Sequence, residues 1–241
     1  MRMRALVAEF IGTAMLLAAV VGSGIMGERL AAGNTAIALL ANTLATGAAL
    51  VALILTFGPI SGAHFNPAVS FADASQGGLR WSTASAYAMA QTAGAVLGVG
   101  AADLMFEQPL YAWSQHVRVG APQAFSEGIA TFGLLSVIWG CSRRRTEAVP
   151  FAVAAYITAA YWFTASTSFA NPAVTVARAL TDTFAGIRPA DVPAFVIAQA
   201  IGAAAATVLF RWLMPALPAT AANVIEPHAQ QPEREQVEWT R

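Results

Sequence analysis

Two asparagines are the residues of this chain best placed to act on something other than the chain itself. Each opens an Asn-Pro-Ala tripeptide, Asn66-Pro67-Ala68 and Asn171-Pro172-Ala173, and both copies lie in apolar surroundings. Proline loses nothing at the first position of a helix, where its missing N–H would be unbonded in any case. Asparagine before it is a good helix cap, because its side-chain oxygen accepts a backbone N–H. Once the amide is fixed in this way, its NH2 is left to donate to an oxygen from outside. Aspartate could cap equally well, but it would bring a charge and no donor. Two such helix starts meeting face to face would offer donors to the oxygen of a neutral solute, and their aligned dipoles would repel cations. A proton moving along a file of water would meet the same barrier. One Asn-Pro pair could equally be a turn in a loop; two copies at matching places favour a paired site.

Other chemistries are poorly supplied. The single cysteine, Cys141, and the three histidines, His64, His116 and His228, have no partners at ligand spacing, so neither a metal nor a cofactor is expected. No nucleophile or carboxylate set accompanies the histidines, which argues against an enzyme. With 13 basic and 13 acidic residues the chain has no basic surplus for nucleic acid.

The elements that must position the asparagines follow from composition. Of 241 residues, 57% are hydrophobic and 11% charged, against roughly 25% charged in soluble domains, so lipid is the expected solvent. The basic start, Met1 to Arg4, could open a signal peptide. Glu9 interrupts the apolar stretch that would follow, and the stretch runs on to Met26, so a retained span is expected. Six segments, 5–26, 35–57, 82–105, 123–140, 148–165 and 193–214, can each supply the ~20 helical residues needed to cross a ~30 Å hydrocarbon core. Two shorter pieces, 66–76 and 171–181, begin at Asn-Pro-Ala and read as half-helices that enter the membrane and stop near its middle. Arg2, Arg4, Arg80, Arg143 to Arg145 and Arg211 fall on one side of such a six-span chain, while Arg29, Arg118 and Arg188 fall on the other. The excess of basic residues marks the first side as cytoplasmic. Both termini are therefore expected in the cytoplasm, with the two half-helices dipping in from opposite faces.

The halves echo each other. Ala8-Glu9 through Thr13 matches Ser126-Glu127 through Thr131, the two Asn-Pro-Ala-Val runs match, and Ala90-Gln91 with Gly94 matches Ala198-Gln199 with Gly202. Three landmarks in the same order imply a duplication, repeat one over about 5–105 and repeat two over about 123–214. Three spans per repeat make the second copy inverted. Gly94 and Gly98, and Ala198, Gly202 and Ala206, are small residues at intervals of four suited to close helix packing. Gln91 and Gln199 read as packing amides. A channel domain over 1–214 is followed by 215–241, polar and proline-bearing, expected to be a disordered cytoplasmic tail.

With these residues in view, the chain resembles the aquaporin and aquaglyceroporin family, the major intrinsic proteins. Ser61-Gly-Ala-His-Phe-Asn-Pro-Ala-Val69 is close to the family's first signature, and Ser168-Phe-Ala-Asn-Pro-Ala-Val174 is similar to its second. The resemblance covers residues 4–214. It implies an all-α membrane protein, a right-handed bundle of six transmembrane helices and two re-entrant half-helices arranged as an inverted repeat. It also implies a homotetramer in the lipid of the cell's inner, or plasma, membrane, with one passive pore per subunit for water and small neutral solutes. Glu9 and Glu127 match the family's buried, loop-bracing glutamates, and His64 matches its loop histidine. Weighed without the family, a glutamate inside a span is either structural or a transport group, and a loop-holding role is preferred to a proton relay. His64 is likewise read as a loop-fixing hydrogen-bonder.

One departure bears on selectivity. Where the family's second signature carries an arginine three residues after Asn171, this chain has Val174. Counting from the two signatures places Thr46, Ala159 and Ser168 at the other positions of the family's narrow filter, with Tyr161, Trp162 or Phe163 taking part if the register shifts by a residue or two. Thr46, Ala159, Ser168 and Val174 would make a wide, uncharged filter that favours glycerol-sized solutes and admits undissociated arsenous acid. Arg178, one turn beyond Val174, is expected to snorkel or to pair with Asp182 at the next i+4 position, the alternative being that it reaches back into the pore. A water-selective pore, a coupled transporter and a non-conducting scaffold are the rival readings.

Overall fold

The computed structural model describes residues 3–142 and 145–214. The expected tail over 215–241, and Arg2, Arg143 and Arg144 of the topology argument, lie outside the described residues.

Apolar runs with few internal charges become eight α-helices among the described residues. They are α1 (Met3–Leu30), α2 (Thr35–Ser61), α3 (Pro67–Gln76), α4 (Trp81–Met105), α5 (Ala121–Cys141), α6 (Val149–Phe163), α7 (Pro172–Arg178) and α8 (Val192–Leu213). Five of them, α1, α2, α4, α5 and α8 with the turn that leads into it, are long and apolar enough to cross a membrane. The fifth expected span, α6, has only 15 residues, about 22 Å at 1.5 Å per residue. A 3-10 turn at Thr146–Ala148 precedes it, and its sequence continues beyond Phe163 as non-helical chain. The segments 66–76 and 171–181 are short helices as expected, although α7 stops at Arg178 and not at 181. Side chains just beyond that end are committed elsewhere: Thr181 donates to Asp103 Oδ1 at 2.8 Å, and Asp182 accepts the Gln115 N–H at 2.8 Å.

The packing order exchanges the short helices between the halves. Helix α1 packs on α2 and α4, while α5 packs on α6 and α8; α3 then sits against both α4 and α8, and α7 against both α4 and α8. Small residues allow the closest crossings. A Cβ on Gly94 or Gly98 of α4 would run into the α1 carbonyls of Phe10 and Ala14, and one on Gly202 of α8 would run into the Gly128 carbonyl of α5. Ala206 is fully buried in α8. The small residues expected to pack helices do so at corresponding crossings.

Candidate functional site

The site begins with the two helix starts. Asn66 caps α3 by accepting the Ala68 N–H at 2.9 Å, and Asn171 caps α7 by accepting those of Ala173 and Val174 at 3.0 and 3.3 Å. Proline occupies the first turn of each helix. The two amides also reach across to each other's loop. Asn66 Nδ2 donates to Ala170 O and Asn171 Nδ2 to Phe65 O, both at 2.8 Å. Each NH2 thus spends one hydrogen joining the two loops and keeps a second for the cavity that both asparagines line.

The loops leading into these caps are held in a conformation that side chains disfavour. Ala63 and Phe65 before Asn66, and Ser168 and Ala170 before Asn171, have φ between 47° and 50°. Non-glycine residues in this region cost on the order of 1–3 kcal/mol each unless the surroundings impose the geometry. Two buried carboxylates impose it. Glu9 of α1 accepts the His64 and Phe65 N–H groups at 3.0 and 2.7 Å, the Ser61 hydroxyl at 2.6 Å and the Gln91 amide at 2.7 Å. Glu127 of α5 accepts the Phe169 and Ala170 N–H groups, each at 2.8 Å, the Ser166 hydroxyl at 2.5 Å and the Gln199 amide at 2.6 Å. Each carboxylate has four donors and no exposed surface. The glutamines then bridge onward, Gln91 to Ser70 of α3 at 3.0 Å and Gln199 to Thr175 of α7 at 2.8 Å. They are part of the bracing and more than packing amides. His64 is buried, lines the cavity and places Nδ1 3.1 Å from Ser70 Oγ.

The cavity runs past both Asn-Pro-Ala starts between α1, α2, α5 and α6. Leu50, Ile54, Ile138 and Val153 are among the apolar side chains along it, and the loop segments 63–66 and 168–171 add the polar side chains of His64, Asn66, Ser168 and Asn171. Thr46, Ser168 and Val174, three of the four counted positions, line it. Ala159 does not: it is exposed, and Tyr161 lines the cavity in its stead, with its hydroxyl 3.3 Å from Thr46 Oγ1. Two residues along a helix turn roughly 200° around its axis, so a register error of two puts the counted residue on the outer face.

Arg178 also differs from the expectation. It lines the cavity, is 2% exposed and makes no pair with Asp182. An i,i+4 pair requires helix through both positions, and α7 ends at Arg178 itself. The side chain donates from Nε to Ala185 O and lies with its guanidinium carbon 3.4 Å from the Phe169 ring centroid. The cavity wall is therefore not uncharged.

The loop from 106 to 120 completes the same end. Arg118 is buried, with Nε on Gly186 O at 2.8 Å and Nη1 on Ser166 O at 3.1 Å, and its guanidinium carbon is 4.9 Å from the Phe169 centroid. Burial pulls its pKa down to about 10, which leaves it cationic at neutral pH. Its backbone N–H donates to Asp191 Oδ2, whose other oxygen accepts from Arg188, both at 2.8 Å. Nothing in the sequence marked Arg118 or Phe169 as part of the site, because Arg118 is held by backbone carbonyls of distant loops and Phe169 by side chains of other segments.

The description "Major intrinsic protein" matches residues 1–155 and 142–239. The aquaglyceroporin AqpS of Rhizobium meliloti is 56% identical over 216 residues, which cover 89% of this chain and 92% of that protein. Aquaporin NIP6-1 of Arabidopsis thaliana is 35% identical over 136 residues, covering 56% of this chain and 44% of the plant protein. Among solved structures, the aquaglyceroporin from Plasmodium falciparum superposes with a TM-score of 0.73 at 21% identity, over 90% of this chain and 98% of the other. The likeness to that structure is one of fold, an all-α membrane architecture with two short helices joined within it.

Proposed function

This chain belongs to the major intrinsic protein family, and from that premise we propose that the cavity past Asn66 and Asn171 is a passive conduit for water and uncharged solutes up to the size of glycerol. The protein is a multi-pass membrane channel and not an enzyme. The observation that carries the reading is the pair of opposed helix starts, each amide tied to the opposite loop and retaining one donor for a passing oxygen. Single-file solutes exchange hydrogen bonds with those donors while the two helix dipoles oppose cations.

Finer features go with the proposal. The exchange of α3 and α7 between the halves supports an inverted repeat in a right-handed bundle of six spans and two half-helices, with residues 1–214 as the channel domain. The basic residues Arg4, Arg80 and Arg211 support cytoplasmic termini in the inner membrane. Family membership supports a homotetramer with one pore in each subunit. The small side chains of Thr46, Ser168 and Val174 in the cavity wall support passage of a small polyol, and undissociated arsenous acid has a comparable size and lack of charge. A water-selective pore is the second reading, favoured by Tyr161 at the mouth where a smaller residue was expected.

Stopped-flow light scattering on vesicles holding the purified chain separates the two. Glycerol, urea and arsenous acid should each relax osmotic shrinkage faster than in empty vesicles. Water permeation without any of the three supports the narrow pore and ends the polyol reading.

A further inference from the structure

Position 174 is apolar, yet the mouth of the cavity has a charge. Arg178 lies one helical turn on, and its side chain returns to the cavity that Thr46, Tyr161, Ser168 and Val174 also line. The guanidinium has a fixed seat. Its Nε donates to Ala185 O, its plane rests on Phe169, and Phe169 is itself wedged edge-on against Phe195 of α8 with centroids 5.3 Å apart. Arg118 braces the same loop by holding Gly186 O, the carbonyl next to the one that Arg178 uses. The two arginines divide the work: Arg118 spends its Nε and Nη1 on backbone carbonyls, whereas Arg178 makes no side-chain hydrogen bond through its terminal nitrogens among the described residues.

Two further facts point these donors at a solute. No carboxylate of the described residues lies within ion-pair distance of Arg178 or Arg118; Glu127 attracts both from farther off, with its oxygens committed to four loop and helix donors. Ser168 Oγ, buried in the same wall, has no hydrogen-bond partner among the described residues. A hydroxyl without a partner and a guanidinium whose terminal nitrogens are unused, both lining one passage, are satisfied when an oxygen-bearing molecule stands between them.

We propose that Arg178 is the charge-selecting residue of this pore: seated on Phe169 and Ala185, it turns cations back at the mouth and donates, with Ser168, to the oxygens of uncharged solutes. Arg178 and Ser168 thereby act on hydroxyl-bearing or carbonyl-bearing solutes, and Phe169 acts as a positioning residue. The inference rests on the channel reading above.

Urea and guanidinium form the discriminating pair, since both are planar and of nearly equal size and differ by one charge. In vesicles with the full chain, urea should pass and guanidinium should be slower by about a hundredfold, the factor for like charges ~6 Å apart at an effective permittivity of ~20. Arg178→Gln, which removes the charge, should restore most of that factor, read as the ratio of guanidinium flux to urea flux in the same vesicles. Guanidinium passing wild type as readily as urea overturns the proposal, as does its continued exclusion by a folded Arg178→Gln protein. Should that variant not reach the bilayer, Phe169→Leu keeps the arginine and removes its seat; raised guanidinium flux supports the assignment and an unchanged flux overturns it. If neither urea nor glycerol passes wild type, the width reading fails separately. Charge selection is then read from proton flux against water flux, where a tenfold rise in proton flux in Arg178→Gln supports it and no rise overturns it.

Discussion

Glu9 and Glu127 show how much of a pore can depend on single carboxylates. Each holds two backbone N–H groups of a loop whose neighbouring residues sit at positive φ, and each does so with all four donors supplied by the chain. Glutamine in their place would set its own NH2 against those donors. Glu127→Gln should therefore cost about 2–4 kcal/mol, the scale for breaking buried hydrogen bonds to a charged group. Ser166→Ala, which removes one donor and leaves the carboxylate three, should cost about 1 kcal/mol. Thermal unfolding of both variants in the same detergent reads the ranking directly. At the mouth, Val174→Arg would place a second guanidinium one turn from Arg178 on the same helix face. Its expected effect is at least a tenfold loss of glycerol flux with water flux retained, measured by vesicle shrinkage; an unchanged solute spectrum would remove Val174 from the filter.

Among the elements, the α1–α4 and α5–α8 crossings bring Gln91 to Glu9 and Gln199 to Glu127, completing the bracing of the two loops. Gly94 meets the Phe10 carbonyl so closely that any Cβ forces the helices apart. Gly94→Val should destabilise the protein by about 1–3 kcal/mol through overpacking, and should lower water permeability as the braced loops shift. The turn before α8 is held by a carboxylate: Asp191 accepts the Arg118 N–H and the Arg188 guanidinium, tying the 106–120 loop to the start of α8. Asp191→Asn should cost about 1–2 kcal/mol at neutral pH, allowing for the partly exposed Arg188. Thermal unfolding beside wild type measures that cost, and an unchanged melting temperature would mean that the carboxylate charge contributes nothing.

For the molecule as a whole, the exchange of half-helices makes the two halves mutually dependent: each loop is braced by its own half's glutamate and closed by the other half's asparagine. Neither repeat expressed alone should form a water pore. Light scattering of the purified protein, corrected for detergent, should give four times the 25.0 kDa chain mass; a monomer mass would count against the tetramer.

Legibility in the sequence followed the range of the interactions. Helix positions and the Asn-Pro-Ala caps could be read because apolar run length and local capping leave a mark within a few residues, while the cost of a charge in lipid narrowed Glu9 and Glu127 only to a structural or a transport role. The end of α7, the replacement of Ala159 by Tyr161 and the return of Arg178 to the cavity could not. Each depends on where a carbonyl, a ring or a helix face from a distant segment arrives: Ala185 O and Phe169 for Arg178, and the rotation of α6 about its own axis for Tyr161. The sequence by itself determined that a paired donor site is carried on two short helices within a bundle of spans. Only the tertiary structure decided that the mouth bears a positive charge, because an arginine's direction is chosen by the partners that folding brings within reach.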